Sequence, residues 1–218
     1  FGAGPAAAAG SAAAPAVGSA AAGPIVKPLP PDLFTVFGTN AETRWDALRD
    51  TGYLVPIDRF FVRNHTSTPT VDGDTWRLKL FGSGLRGAPT VDSPITLSLR
   101  QLRRLPSTTL TAFIECAGNG RSFFTTQQGQ TVSGTAWTLG AVGVARWRGV
   151  RLSTVLRLAG LLPSAVDVLP VGLDANFVTG GVDLGPVRRP VPIGKALRDV
   201  VLAYEMNGEP LPPDHGYP

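Results

Sequence analysis

The chain has 218 residues, 43% hydrophobic and 17% charged, which suits one sizeable folded core with a tail and excludes a disordered chain. Its 26 glycines and 20 prolines favour turns and short strands over long helices. The net charge of +4 is carried almost wholly by scattered arginines, with lysine only at Lys27, Lys79 and Lys195. Arginine suits multidentate recognition of small anions, and a chain with no basic blocks and no zinc-finger spacing is a poor nucleic-acid binder.

A single cysteine, Cys116, rules out an internal disulfide and a multi-cysteine zinc site. No uninterrupted apolar run reaches the length of a membrane span.

In chain order, residues 1–27 read as a flexible leader or linker. Up to about residue 24 they are nearly pure Ala, Gly, Pro and Ser, too poor in bulky apolar surface to offset the entropy of ordering. The folded domain is expected over residues 28–218. Thr39-Asn40-Ala41-Glu42 has capping-box spacing ahead of Trp45 and Leu48, which predicts a short helix stopped at Gly52. Residues 75–81 alternate Trp76, Leu78 and Leu80 with Arg77 and Lys79, a strand pattern. A helix is expected over 97–105, ended by Pro106, then a buried strand over 110–115 running into Cys116. Leu152, Val155, Leu156 and Ala159 share a helix face over 153–159, with Gly160 behind it. Strands are expected over 168–173 and 200–206, the latter turning at Asn207-Gly208. The fold class is α+β, with mixed or antiparallel sheets and short helices.

Gly82-Ser83-Gly84-Leu85-Arg86-Gly87 matches a dinucleotide fingerprint, but the residues after it contain Pro89 and Pro94 and cannot supply the helix that motif needs. It reads as a glycine-rich turn. His65 and His215 lack zinc-hydrolase spacing, and no nucleophile elbow occurs. Two clusters remain. In Phe60-Phe61-Val62-Arg63-Asn64-His65, two buried aromatics lead into three polar side chains. They are pocket groups, or simply the solvated end of a strand. In Glu115-Cys116-Ala117-Gly118-Asn119-Gly120-Arg121, small residues leave space beside the sulfur and a cation stands nearby. That setting favours a thiolate, either as nucleophile or as soft-metal ligand.

These two clusters, with residues 145–150, 202–211 and the closing Asp214-His215-Gly216-Tyr217-Pro218, resemble in order and spacing the signatures of sulfite oxidases and sulfite dehydrogenases. The resemblance covers roughly residues 28–218. It implies a sulfite-oxidase-type fold that binds a molybdenum–molybdopterin (a pyranopterin dithiolene). It makes Cys116 the protein's metal ligand. Phe61, Val62, Arg63, Asn64, His65 and Asp174 become cofactor-binding residues, and Arg63 also contacts an anionic substrate. Asn119 and Arg121 are candidates for bracing the ligand. The implied reaction is oxidation of sulfite, or a related small sulfur oxyanion, to sulfate. Within the family the alternatives are sulfane oxidation and sulfoxide reduction; outside it, a metal-free scaffold of the same fold. Electrons would pass to a haem-containing subunit or a soluble cytochrome. The family pattern continues past residue 218 with a phosphate-gripping segment and a dimerisation domain, so part of the cofactor site and any homodimer interface are expected outside this chain. The leader suggests an extracytoplasmic location.

Overall fold

The computed structural model describes residues 25–218; the low-complexity stretch lies outside them. The boundary drawn at 27/28 moves forward. Ile25 is buried with Phe34, Ala41 and Val62, and the backbone N–H groups of Val26 and Lys27 both donate to the Asp214 carboxylate at 2.9 Å. Residues 25–27 are thus tied to the far end of the chain.

The first hairpin joins β1 (Phe34–Phe37) to β2 (Asn40–Thr43), antiparallel in register Phe34↔Thr43. A helix was expected here, and only a single 3-10 turn over Trp45–Leu48 follows. The reason is tertiary. Glu42 does not fold back as a cap; its buried carboxylate accepts from the Thr138 N–H at 2.8 Å and the Thr138 hydroxyl at 2.7 Å. Ala41 meanwhile exchanges backbone hydrogen bonds with Val62.

The strand expected over 75–81 is β3 (Arg77–Leu80), paired with β4 (Ile95–Ser98). Ser98 then caps α1 (Leu99–Arg103): its Oγ accepts the Gln101 N–H while Gln101 Oε1 accepts the Ser98 N–H. This capping box is realised because nothing distant competes for it. Leu99 and Leu102 pack against Val150, Val155 and Tyr204.

β5 (Ser107–Glu115) starts three residues earlier than expected and ends at the Cys116 loop. The sequence patterns marked neither α2 (Ser122–Gln128) nor β6 (Val142–Arg151). Gly143, Ala145, Trp147 and Gly149 form the buried face of β6 and Arg146 and Arg148 the exposed one. Small residues serve there because neighbours press close: a Cβ on Gly143 would lie 2.6 Å from the Phe60 ring. α3 (Leu152–Leu158) follows as predicted, burying Leu152, Val155 and Leu156.

The strand expected over 168–173 shrinks to β7 (Asp167–Val168) and an isolated Val171↔Arg188 bridge, because Pro170 lacks an N–H and Gly172 packs no side chain. A small hairpin, β8 (Val178–Thr179) with β9 (Val182–Asp183), turns at Gly180 and Gly181. After it come β10 (Val191–Pro192), paired with β7, then α4 (Ile193–Arg198), β11 (Val201–Met206) and β12 (Glu209–Pro210). The predicted turn between the last two has positive φ at both Asn207 (54°) and Gly208 (93°), as a two-residue hairpin requires.

The largest sheet has the order β12-β11-β6-β5 and is antiparallel throughout. With four two-stranded sheets and four short helices among the described residues, the α+β expectation is met. Gly82 and Gly87 adopt positive φ in a turn, as read from the sequence. No described helix is long and apolar enough to cross a membrane.

Glu42→Ala should destabilise the fold by about 2–4 kcal/mol, since it strands buried donors that bonded to a carboxylate. Urea denaturation measures this; a loss below about 1 kcal/mol would show that the network contributes little.

Candidate active site around Cys116

Cys116 sits where β5 runs out, and the loop is pulled back onto the start of β6. The Cys116 N–H donates to Ala141 O at 2.9 Å, and Asn119 closes the turn by donating to Cys116 O at 2.8 Å. The Asn119 amide completes the clamp: its oxygen accepts the Ala141 N–H at 3.1 Å and its nitrogen reaches Glu115 and Leu139 O. Asn119 therefore braces the backbone on either side of the thiol. Arg121 donates to Thr135 O at 2.9 Å, and its guanidinium fills the space left by two glycines. A Cβ on Gly118 would collide with it, and one on Gly134 would come within 2.7 Å.

The second cluster approaches from the core. Phe60 and Phe61 stack at 5.3 Å, Phe61 meets the edge of Trp137, and all three are almost fully buried. After Val62 the chain emerges: Arg63 is exposed, Asn64 and His65 half-buried. The Asn64 N–H donates to Asn40 Oδ1 at 2.9 Å, and its side chain donates to Thr68 Oγ1 at 3.0 Å.

Two cavities flank this stretch. One, of about 750 Å³, is bounded by Cys116, Gly118, Arg121, Phe61, Trp137 and Phe177. The other, of about 770 Å³, is bounded by Asp174, Arg189, Trp76 and Tyr217. Arg63, Asn64 and His65 line both and so form a shared wall. Both volumes suit small-molecule ligands. The structure thus brings Phe61, Arg63, Asn64, His65 and Cys116 together and sets Asp174 behind the wall, where its carboxylate also accepts the Val187 N–H at 2.8 Å. Val62 is the exception among the expected residues. It is wholly buried in the core with both backbone groups bonded to Ala41, and it lines neither cavity.

Several lining residues escaped the sequence patterns, Asn40, Trp137, Phe177 and Arg189 among them. Asn40 is buried, receives the Asn64 N–H, and donates to Thr135 Oγ1 at 3.4 Å, so it links the 60–65 stretch to the segment that anchors Arg121. Trp137 and Phe177 lack any local signal. Arg189 had one, the doublet Arg188-Arg189 in a Gly/Pro-rich loop.

Burial pushes the His65 imidazole below its ordinary pKa. Arg63 and Arg189 act in the same direction and Asp174 opposes them. The ring rests on Phe177 at 4.7 Å and is mostly neutral near pH 7. His215 lies outside both cavities but supports the site, with Nε2 3.0 Å from Phe61 O and its ring against Phe60.

The family described as oxidoreductase molybdopterin binding domain matches residues 65–218. The chain belongs to that family. It is 40% identical over 184 residues to mitochondrial sulfite oxidase of Homo sapiens, covering 82% of this chain and 31% of that protein. It is 31% identical over 205 residues to the NADH nitrate reductase of Ulva prolifera, covering 88% of this chain and 22% of the relative. Among solved structures it is similar to the sulfane dehydrogenase SoxCD of Paracoccus pantotrophus, with a TM-score of 0.64 and 29% identity over 82% of this chain and 41% of that one. The chain therefore spans about a third of the length of the human sulfite oxidase it matches. Membership implies a molybdenum–molybdopterin cofactor. The residues on the wall suit that group. A half-buried thiol offers a soft donor to one cavity, and Arg63 and Arg189 offer cations to an anionic organic ligand in the other.

The pH dependence of stability should expose His215. Burial holds its pKa at about 4, against 6.5 for the free ring, so between those values the unfolded chain binds the additional proton. Stability then rises with pH across that window and is lost as pH falls through it. A His215→Gln variant should show a flatter stability–pH curve between 4 and 6.5; parallel curves for the two proteins would assign the acid sensitivity elsewhere.

Proposed function

We propose that this domain belongs to an enzyme that oxidises sulfite, or a closely related small sulfur oxyanion, to sulfate. The observation that carries this reading is the joint placement of the Cys116 thiol, Arg63 and Arg121 around one cavity with buried aromatic residues, Phe61 and Trp137, in its lining. An anion-binding pair of guanidiniums beside a soft metal ligand is what such a substrate needs. The overall change, SO3²⁻ + H2O → SO4²⁻ + 2H⁺ + 2e⁻, calls for an oxygen donor and a two-electron acceptor. When bound, the molybdenum–molybdopterin supplies both.

Cys116 would hold the metal. Asn64, His65, Arg189 and Asp174 would line the pterin on the far side of the wall, and Arg63 would serve both sides.

The protein's own contribution is positioning. Arg63, an exposed residue that lines the cavity, holds the oxyanion by charge-assisted hydrogen bonds. Arg121 is aimed by Thr135 O and confined by Gly118 and Gly134, so its cation costs little reorganisation when substrate enters. A neutral His65 can exchange hydrogen bonds without adding positive charge. Phe61 and Trp137 exclude water from one face, which strengthens each charged contact. The Asn119 clamp fixes the thiol's orientation.

Electrons would leave to a haem-containing subunit or soluble cytochrome. An extracytoplasmic setting and a homodimer complete the proposal. The similarity to SoxCD favours sulfane oxidation as the second reading.

Cys116→Ala should abolish turnover while the unfolding midpoint stays near that of the parent protein, because a small loop side chain contributes little to stability whereas a metal ligand is essential. Near-normal turnover would refute the thiolate assignment. Arg63→Gln should lower kcat/KM for sulfite by about 10- to 200-fold at unchanged molybdenum content, the worth of a charged hydrogen bond. Steady-state kinetics with parallel metal analysis decides this, and an unaltered KM would remove Arg63 from substrate binding. A thiosulfonate-type substrate preferred over sulfite would support the sulfane reading instead.

A further inference from the structure

The Cys116 cavity is walled by three aromatic side chains of two kinds. Phe61 and Trp137 belong to the core, 4% and 1% exposed, and cannot move without disturbing it. Phe177 enters from outside, half-buried on the loop that leads into β8. Its backbone is nevertheless well held. The Phe177 N–H donates to Gly185 O and its carbonyl accepts the Leu184 N–H, both at 2.9 Å. The Asp183 carboxylate ties the hairpin across its base, accepting from Asn176 Nδ2 at 2.9 Å and the Gly185 N–H at 2.8 Å. The ring then rests on the His65 imidazole, centroids 4.7 Å apart. An aromatic plate with a tied backbone thus stands beside the shared wall, partly exposed, in the cavity that holds the thiol.

We propose that Phe177 is a specificity-determining residue: it limits the size of the molecule that can reach Cys116. A compact sulfur oxyanion passes, and one carrying an aryl or long alkyl substituent is turned away. The ring makes no hydrogen bond to a reacting group, so its effect is on admission and fit, not on chemistry. The substrate class rests on the function proposed above, whereas the geometry of ring and thiol in one cavity does not depend on it.

The test uses the chain's single cysteine as a reporter. Cofactor-free protein is alkylated with iodoacetamide and, separately, with an iodoacetamide carrying a bulky aryl group, and modification of Cys116 is followed by mass spectrometry. Both reagents share one reaction and one pH, so the ratio of their rates cancels the thiol's ionisation. Phe177→Ala should accelerate the bulky reagent about tenfold relative to the small one, on the scale by which shape alone discriminates ligands, and Phe177→Trp should slow it further. An unchanged ratio in Phe177→Ala overturns the proposal. So does a parallel rise of both rates, which is what a loosened hairpin without a gate would give. On the cofactor-loaded enzyme, Phe177→Ala should also gain about tenfold in kcat/KM for an aryl sulfinate relative to sulfite. That oxidation, ArSO2⁻ + H2O → ArSO3⁻ + 2H⁺ + 2e⁻, draws on the same oxygen donor and electron acceptor. Because the alkylation arm needs neither metal nor turnover, failure of the gate and failure of the molybdenum reading give different results.

Discussion

The site depends on the pair of hydrogen bonds that fastens the end of β5 to the start of β6. Cys116 donates to Ala141 O, and Ala141 donates back to the Asn119 side chain. Without this return contact the thiol would sit on a loop free to swing between the two strands. With it, the sulfur is held at the rim of the four-stranded sheet, and the segment before Ala141, with Trp137 and Thr135, is held beside it. The long β5–β6 ladder, paired from Ser107↔Val150 to Glu115↔Val142, is the rigid base for this arrangement. Loops presented by a stiff sheet are where precise chemistry is placed.

A second layer of polar contacts brings the other half of the site into register. Glu42 binds Thr138 and Asn40 binds both Asn64 and Thr135, so a single short strand, β2, positions the Cys116 side and the Arg63 side together. These groups are buried, and a buried carboxylate or amide is tolerated only when its partners are in place. The network therefore helps to specify one arrangement as well as to support it. Residues 26 and 27 and the 214–215 segment add a brace, with Asp214 accepting from Val26 and Lys27 and His215 supporting Phe61.

The division into two cavities by Arg63, Asn64 and His65 gives the site its electrostatic character. Cations stand on both sides of one strip of backbone, with Arg121 on the thiol side and Arg189 on the other. His65 on this strip is held below its ordinary pKa first by burial and then by Arg63 and Arg189, with Asp174 opposing them. Guanidinium donors beside a neutral imidazole offer anions charge-assisted hydrogen bonds.

The sequence by itself determined the α+β class, the position of the thiol, the run from Phe60 to His65, and the elements whose signals are local. The short helix ahead of Pro106, the Asn207-Gly208 turn and the amphipathic face of α3 all appear as read, because their causes lie within a few residues. Similar local logic failed at Thr39–Glu42, where Glu42 had a better offer from Thr138, 96 positions away. It failed again at 168–173, where the backbone of Pro170 and Gly172 could not sustain a strand. Only the tertiary structure decided that Val62 faces the core, that Asp174 stands behind the wall, and that Asn40, Trp137, Arg189 and Phe177 border the cavities. Each of these is a contact between segments far apart in the chain, and no periodicity or spacing along one segment encodes which distant partner it will meet.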